Sequence, residues 1–251
     1  MWLVARALAL WTVTWIHFII LCLLALAVGA IVDPRKNDWL QRVFSRNILR
    51  LAGVRFEVRR SPGFDPSRTC IFICNHVNIF DPFVIYSAIP QFVRGFELES
   101  HFKIPVYGWL MGRFGNVPVP DVPSREGLQI MTERARVALD SGISLIAFAE
   151  GSRTRTGRVQ TFKKGIFTIA QKASVPIVPM SIVGSYEFFR TGHWMLHPGK
   201  ITVYLHDTID TTQIARSDVD ALRQRVQAIV SAPVEEFLRS RESKNAAKIR
   251  V

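Results

Sequence analysis

The chain has 251 residues, enough for one well-packed catalytic-sized domain with an appendage, and 49% of them are hydrophobic. A total of 32 Lys and Arg against 20 Asp and Glu gives a formal charge of +12, which implies an anionic partner: nucleic acid, an anionic leaflet or phosphorylated substrates. No helix-turn-helix, zinc-finger or RNA-motif signature is present, so no nucleic acid is expected, and Cys22, Cys70 and Cys74 make no disulfide framework.

From Ala7 to Val32 there is no formal charge, and His17 is the one basic side chain. As a helix this run measures about 39 Å, against ~30 Å for a bilayer's hydrocarbon core. Three readings follow: a tilted membrane span, a signal peptide cut near Val28-Gly29-Ala30, or an in-plane or re-entrant helix with Trp2, Trp11 and Trp15 at the interface. The run is longer than a usual signal-peptide core, which counts against the second. Arg6 precedes it, whereas Arg35, Lys36, Arg42, Arg46 and Arg50 follow. The positive-inside rule therefore puts the chain after residue 33 on the cytoplasmic face of the cell membrane.

Asp38 to Leu51 has the period of an amphipathic helix, with Trp39, Leu40, Val43, Phe44, Ile48 and Leu51 apolar. Arg42, Arg46 and Arg50 form a stripe that suits either anionic headgroups or a solvated face on a core-packed helix. Strand-like apolar runs then recur at Val54–Val58, Thr69–Cys74, Ser144–Phe148, Ile177–Val183 and Ile201–Leu205. Between them, Asp81-Pro82 opens a helix with Asp at the N-cap, Ser124 caps another that Gly142 ends, and Gly165–Ala173 is a short helix. Leu222, Val226, Ile229 and Val230 give a last apolar face that Pro233 interrupts, and the basic tail from Arg239 is expected to fray. The alternation predicts an α/β fold with a mixed, largely parallel sheet flanked by helices. Residues 1–52 form the membrane helix and basic amphipathic helix, 53–238 the catalytic domain and 239–251 the tail.

His76 and Asp81 stand five apart at the end of the second strand, in Asn75-His76-Val77-Asn78-Ile79-Phe80-Asp81. A loop returning the chain to a helix at Asp81 lets the carboxylate hold one ring nitrogen and leaves the other as a base for an alcohol proton. Three more blocks follow: Gly115-Asn116-Val117-Pro118-Val119, Phe148-Ala149-Glu150-Gly151-Ser152-Arg153 and Val175-Pro176-Ile177-Val178-Pro179. In this order the set resembles the glycerophospholipid acyltransferase family, over roughly residues 50–210. Ala149 and Ser152 stand where the family usually has Pro and Thr. Asp121 stands where members forming phosphatidic acid commonly carry an Arg, which leaves the acceptor open.

The resemblance implies an O-acyltransferase that moves a fatty acyl group from acyl-CoA or acyl carrier protein to a lysophospholipid, with 1-acylglycerol-3-phosphate favoured. Another lysolipid, such as a lyso-aminolipid, and a thioester hydrolase are the alternatives. His76 and Asp81 are the expected catalytic pair. Asn75, Gly115, Asn116, Glu150, Gly151, Ser152 and Arg153 are expected at the substrate, and Val175–Pro179 along the acyl channel. Arg155, Arg158, Lys163 and Lys164 add positive potential beside them. No metal and no cofactor beyond the acyl donor is expected, and the bilayer is the expected partner.

Overall fold

The computed structural model describes residues 2–29 and 31–249. Its centre is a seven-stranded sheet: β1 (Arg55–Arg60), β2 (Ile71–Cys74), β3 (Val93–Leu98), β4 (Val117–Val119), β5 (Ser144–Phe148), β6 (Ile177–Val183) and β7 (Lys200–Leu205), in the order β1-β7-β6-β2-β5-β3-β4. Every pairing is parallel except β6 with β7, as expected of a mixed, largely parallel sheet. The helices are α1 (Trp2–Gly29), α2 (Asp38–Leu51), α3 (Asp81–Ala88), α4 (Tyr107–Arg113), α5 (Arg125–Asp140), α6 (Gly165–Lys172), α7 (Ser185–Phe188) and α8 (Val219–Ile249).

The reason β2 reads as an unbroken apolar run is that both its faces are covered. Cys70, Phe72 and Cys74 point to one core with Phe44, Ile48 and Leu49 of α2 and Val84 and Ile85 of α3. Ile71 and Ile73 point to the other, with Ala135 and Leu139 of α5, Phe167 of α6 and Leu222, Val226 and Val230 of α8. Two-residue alternation along one strand thus supplies both layers of a helix–sheet–helix sandwich. As the capping pattern predicts, Ser124 Oγ accepts from Gly127 N at 2.8 Å at the start of α5, and Gly142 ends that helix with φ +79°.

Several elements differ from the sequence reading. Strands β3 and β4 carry no clean alternation. β3 holds Arg94, fully buried, because its guanidinium donates to Phe114 O at 2.6 Å and to Asp38 Oδ1 of α2 at 3.3 Å and lies over the Phe92 ring. Pro233 does not interrupt α8, which continues through the expected tail to Ile249. Its missing N–H falls in a turn whose Val230 carbonyl accepts from Ser181 Oγ at 2.9 Å, a partner from β6 for backbone that a proline loosens. Asp81 is the first residue of α3 rather than its cap. Of the Val175–Pro179 segment expected along the acyl channel, Ile177–Pro179 lies in β6, flanked by β2 and β7 and buried throughout, in the sheet core.

The α1 helix lies along the domain. Leu10, Trp11, Phe18 and Leu21 pack against the core and Ala7 and Thr14 are buried, a stripe at helical spacing. Trp11 sits 5.8 Å from the Phe80 ring and 5.6 Å from that of Phe189, and its Nε1 donates to Trp194 O at 2.6 Å. On the opposite side Leu8, Trp15, Ile16, Ile19, Ile20 and Leu23 are exposed. In α2, Arg42 is tied inward to Asp38 and to the carbonyls of Ile89 and Gln91, so of the arginine stripe only Arg46 and Arg50 face outward.

Candidate active site

The central strand β2 ends at Cys74, and the next seven residues are fastened from both sides. Asn75 is buried and pairs with β6, accepting from Ile182 N at 2.8 Å and donating to Ile182 O at 2.9 Å. Asn78, also buried, donates to the carbonyls of Ser185 at 2.8 Å and Phe189 at 2.9 Å, while its side-chain oxygen accepts from Phe80 N. Loops are ordinarily the mobile part of a domain; these two amides hold this one against the sheet.

Asp81 is fully buried, and one oxygen gathers three donors: His76 Nδ1 at 2.8 Å, Val77 N at 2.6 Å and Asn78 N at 3.1 Å. The two backbone bonds hold the carboxylate in place and aim it at the ring. Phe148, the last residue of β5, stacks on the imidazole with centroids 3.8 Å apart and planes 20° from parallel. With Nδ1 on the acid and one face on Phe148, the ring turns Nε2 to the remaining space, and its side chain is 18% exposed.

That space is an open cleft of about 700 Å³ lined by His76, Gly151, Ser152, Arg153, Thr154, Arg155, Thr156, Gln160 and Thr191. It lies at the carboxyl ends of β2 and β5, where open α/β sheets place their ligands. The turn after β5 is joined to the histidine loop twice: Thr154 N donates to His76 O at 2.9 Å, and His76 N donates to Glu150 Oε1 at 2.7 Å. The other Glu150 oxygen accepts from Gln160 N at 2.9 Å. Burial pushes the Glu150 carboxyl above its ordinary range, and these backbone bonds pull in the opposite direction. Gly151 turns the chain with φ +72°, a conformation that disfavours any residue with a Cβ.

Of the residues expected at a site, His76, Gly151, Ser152 and Arg153 meet in the cleft, with Asp81 and Glu150 directly behind them. Asn75 positions the loop and is not among the cleft residues. Gly115 and Asn116 are not brought there. Asn116 closes the α4–β4 turn, accepting from Gly95 N at 2.9 Å and donating to Met111 O, three strands from β2 or about 14 Å at ~4.8 Å per strand. Asp121 takes the N–H and hydroxyl of Ser100. Sequence reading gave no part to Asn78, Phe148 or Thr191, whose hydroxyl donates to Val77 O at 3.1 Å. The first two sit inside the recognised blocks, but nothing in the sequence marks Thr191.

The Acyltransferase family model matches residues 54–183. A chloroplastic 1-acyl-sn-glycerol-3-phosphate acyltransferase of Brassica napus is 33% identical over 141 residues, 56% of this chain and 40% of that protein. The Cocos nucifera 1-acyl-sn-glycerol-3-phosphate acyltransferase is 28% identical over 218 residues, 87% of this chain and 69% of the other. For the human beta form the figures are 29% over 180 residues, 71% and 64%. The chain thus spans less than two thirds of the Brassica and human proteins. The crystal structure of the 1-acyl-sn-glycerophosphate (LPA) acyltransferase PlsC from Thermotoga maritima superposes with a TM-score of 0.77 at 24% identity, covering 93% of this chain and 95% of that one; it shares the fold. With the histidine–aspartate pair and the Glu-Gly-Ser-Arg turn inside the matched region, the chain belongs to the acyltransferase family.

Proposed function

We propose that the protein transfers a fatty acyl group from a thioester donor, acyl-CoA or acyl carrier protein, to the hydroxyl of a lysophospholipid, with 1-acylglycerol-3-phosphate as acceptor and phosphatidic acid as product. The observation that carries this reading is the opening of an acid-held imidazole into a cleft that also presents Arg153. An alcohol is a poor nucleophile at neutral pH until a base takes its proton. His76 Nε2 accepts that proton as the oxygen bonds to the thioester carbonyl carbon. Asp81 holds Nδ1 and stabilises the imidazolium. The tetrahedral adduct then collapses with cleavage of the C–S bond, and the imidazolium proton goes to the departing thiolate. Arg153 supplies a planar fork for the acceptor's phosphate.

Attachment to one face of a bilayer fits the same reading. The stripe from Ala7 to Leu21 is occupied by the domain, and the outer apolar side from Leu8 to Leu23 is free. A helix docked along its length on a catalytic domain suits the plane of an interface better than a span. Acyl chains of substrate and product then stay in lipid while the cleft meets the headgroup layer.

The test offers the purified protein a panel of lysolipids with labelled acyl-CoA and acyl carrier protein. Diacylated phosphatidic acid is the expected product. Release of free fatty acid that does not require any acceptor would make the protein a hydrolase instead.

A further inference from the structure

We propose that Lys163 is a direct ligand of the acceptor's phosphate and, with Arg153 and Arg155, selects phosphate monoesters over neutral and zwitterionic lysolipids; this rests on the acyl-transfer reading above. Lys163 follows the buried Phe162, and its backbone N donates to Ala149 O at 2.7 Å, which fixes its origin beside the end of β5. Its side chain then folds across the turn. A Cβ built on Gly151 would lie 2.5 Å from Lys163 Nζ, so the ammonium rests over the bare Cα of a residue that lines the cleft.

Among the described residues Lys163, Arg153 and Arg155 enter no salt bridge, whereas Arg158 pairs with Glu235 and Glu242. Both oxygens of Glu150 are taken by backbone N–H groups. Asp121, at the position where an arginine was expected, is engaged with Ser100. Three unpaired cations around one cleft suit a phosphate monoester, which carries about −1.5 to −2 at pH 7. A zwitterionic phosphodiester brings a single negative charge and a cation of its own, which the same groups repel. A compact ammonium with three donors complements the fork of Arg153.

The experiment measures initial rates with 1-acylglycerol-3-phosphate, chain-matched 1-monoacylglycerol and lysophosphatidylcholine for wild type, K163M, K163R and K172M. Lys172 is exposed at the far end of α6, so K172M removes the same charge away from the cleft. K163M should raise KM for the phosphate acceptor on the order of tenfold, with a smaller change in kcat and no rise for monoacylglycerol. K163R should recover most of the loss, and K172M should keep the wild-type KM. A second measurement needs no variant: glycerol 3-phosphate, but not glycerol, should slow amine-reagent labelling of Lys163 severalfold, read by mass spectrometry. An unchanged KM in K163M, or absence of protection, with a wild type selective for the phosphate acceptor, overturns the role of Lys163 alone. A wild type that prefers monoacylglycerol or lysophosphatidylcholine overturns both the phosphate reading and this one.

Discussion

The Glu150 carboxylate holds the backbone N–H of His76 at 2.7 Å, so the acid of the Glu-Gly-Ser-Arg turn is fastened to the loop that carries the proposed base. The family resemblance gives this glutamate to the acceptor. Its burial, at 4% exposure, and its second bond to Gln160 N give it the work of registering two loops. E150Q keeps the length but sets an NH2 against a backbone donor. Stability should fall by about 1–3 kcal/mol, seen in thermal unfolding, and kcat should fall by more than KM rises. A change confined to KM would return Glu150 to substrate contact.

The same carboxyl has a pH signature. Its pKa is raised from 4.5, chiefly by burial, so the folded state binds a proton more readily than the unfolded chain. Unfolding free energy contributed by this group is therefore largest below the unfolded value and is lost as pH rises through the folded one. A carboxyl carbon titrating above 4.5 in NMR spectra, absent from E150Q, is the expected result; a titration at or below that value contradicts the burial account.

Removing the proposed base or its acid should leave folding intact and abolish most turnover. H76A and D81N are each expected to lower kcat by about 10²–10⁴, with near-native circular dichroism for H76A. D81N keeps one oxygen to accept from the three donors but loses the charge that strengthens those bonds, so its melting temperature should drop as well. Near-wild-type turnover in H76A would remove His76 from the chemistry.

Gly151→Ala combines two costs. The backbone at φ +72° disfavours a side chain by about 1–2 kcal/mol, and the new methyl displaces the Lys163 ammonium. The melting temperature should fall, and KM for a phosphate-bearing acceptor should rise; unchanged kinetics would mean that the turn tolerates a Cβ.

Helix α1 gives a geometric prediction for lipid contact. Nitroxide labels placed singly on cysteines at Ile16, Ile19 and Leu23, in a C22S background that keeps Trp11, should report similar shallow immersion depths. A depth that falls steadily from Ile16 to Leu23 would indicate a span, whose midpoint lies near Ile16.

The sheet's five recognised strands, and the His76–Asp81 pair, were legible because each is encoded locally. β2, β5 and β6 are apolar on both faces, and His76 and Asp81 are joined by a loop too short to separate them. What escaped depends on distant partners. Arg94 makes β3 look unlike a strand, and its burial rests on partners brought from elsewhere, Asp38 of α2 and the Phe114 carbonyl. β4 has three residues, one a proline. Pro233 signals a helix break that packing of Val230 and Val234 into the core overrides. Thr191 reaches the site from a loop 114 residues beyond Val77, a proximity that no local pattern encodes.

The indole of Trp11 joins the helix suited to lipid with the two segments that frame the cleft: it touches Phe80, next to Asp81, and bonds Trp194, three residues from Thr191. Trimming α1 to obtain a water-soluble fragment would therefore strip a wedge from behind the His76 loop along with the proposed anchor. A poorly active fragment of that kind would report a loosened catalytic loop, and adding membranes back would not repair it.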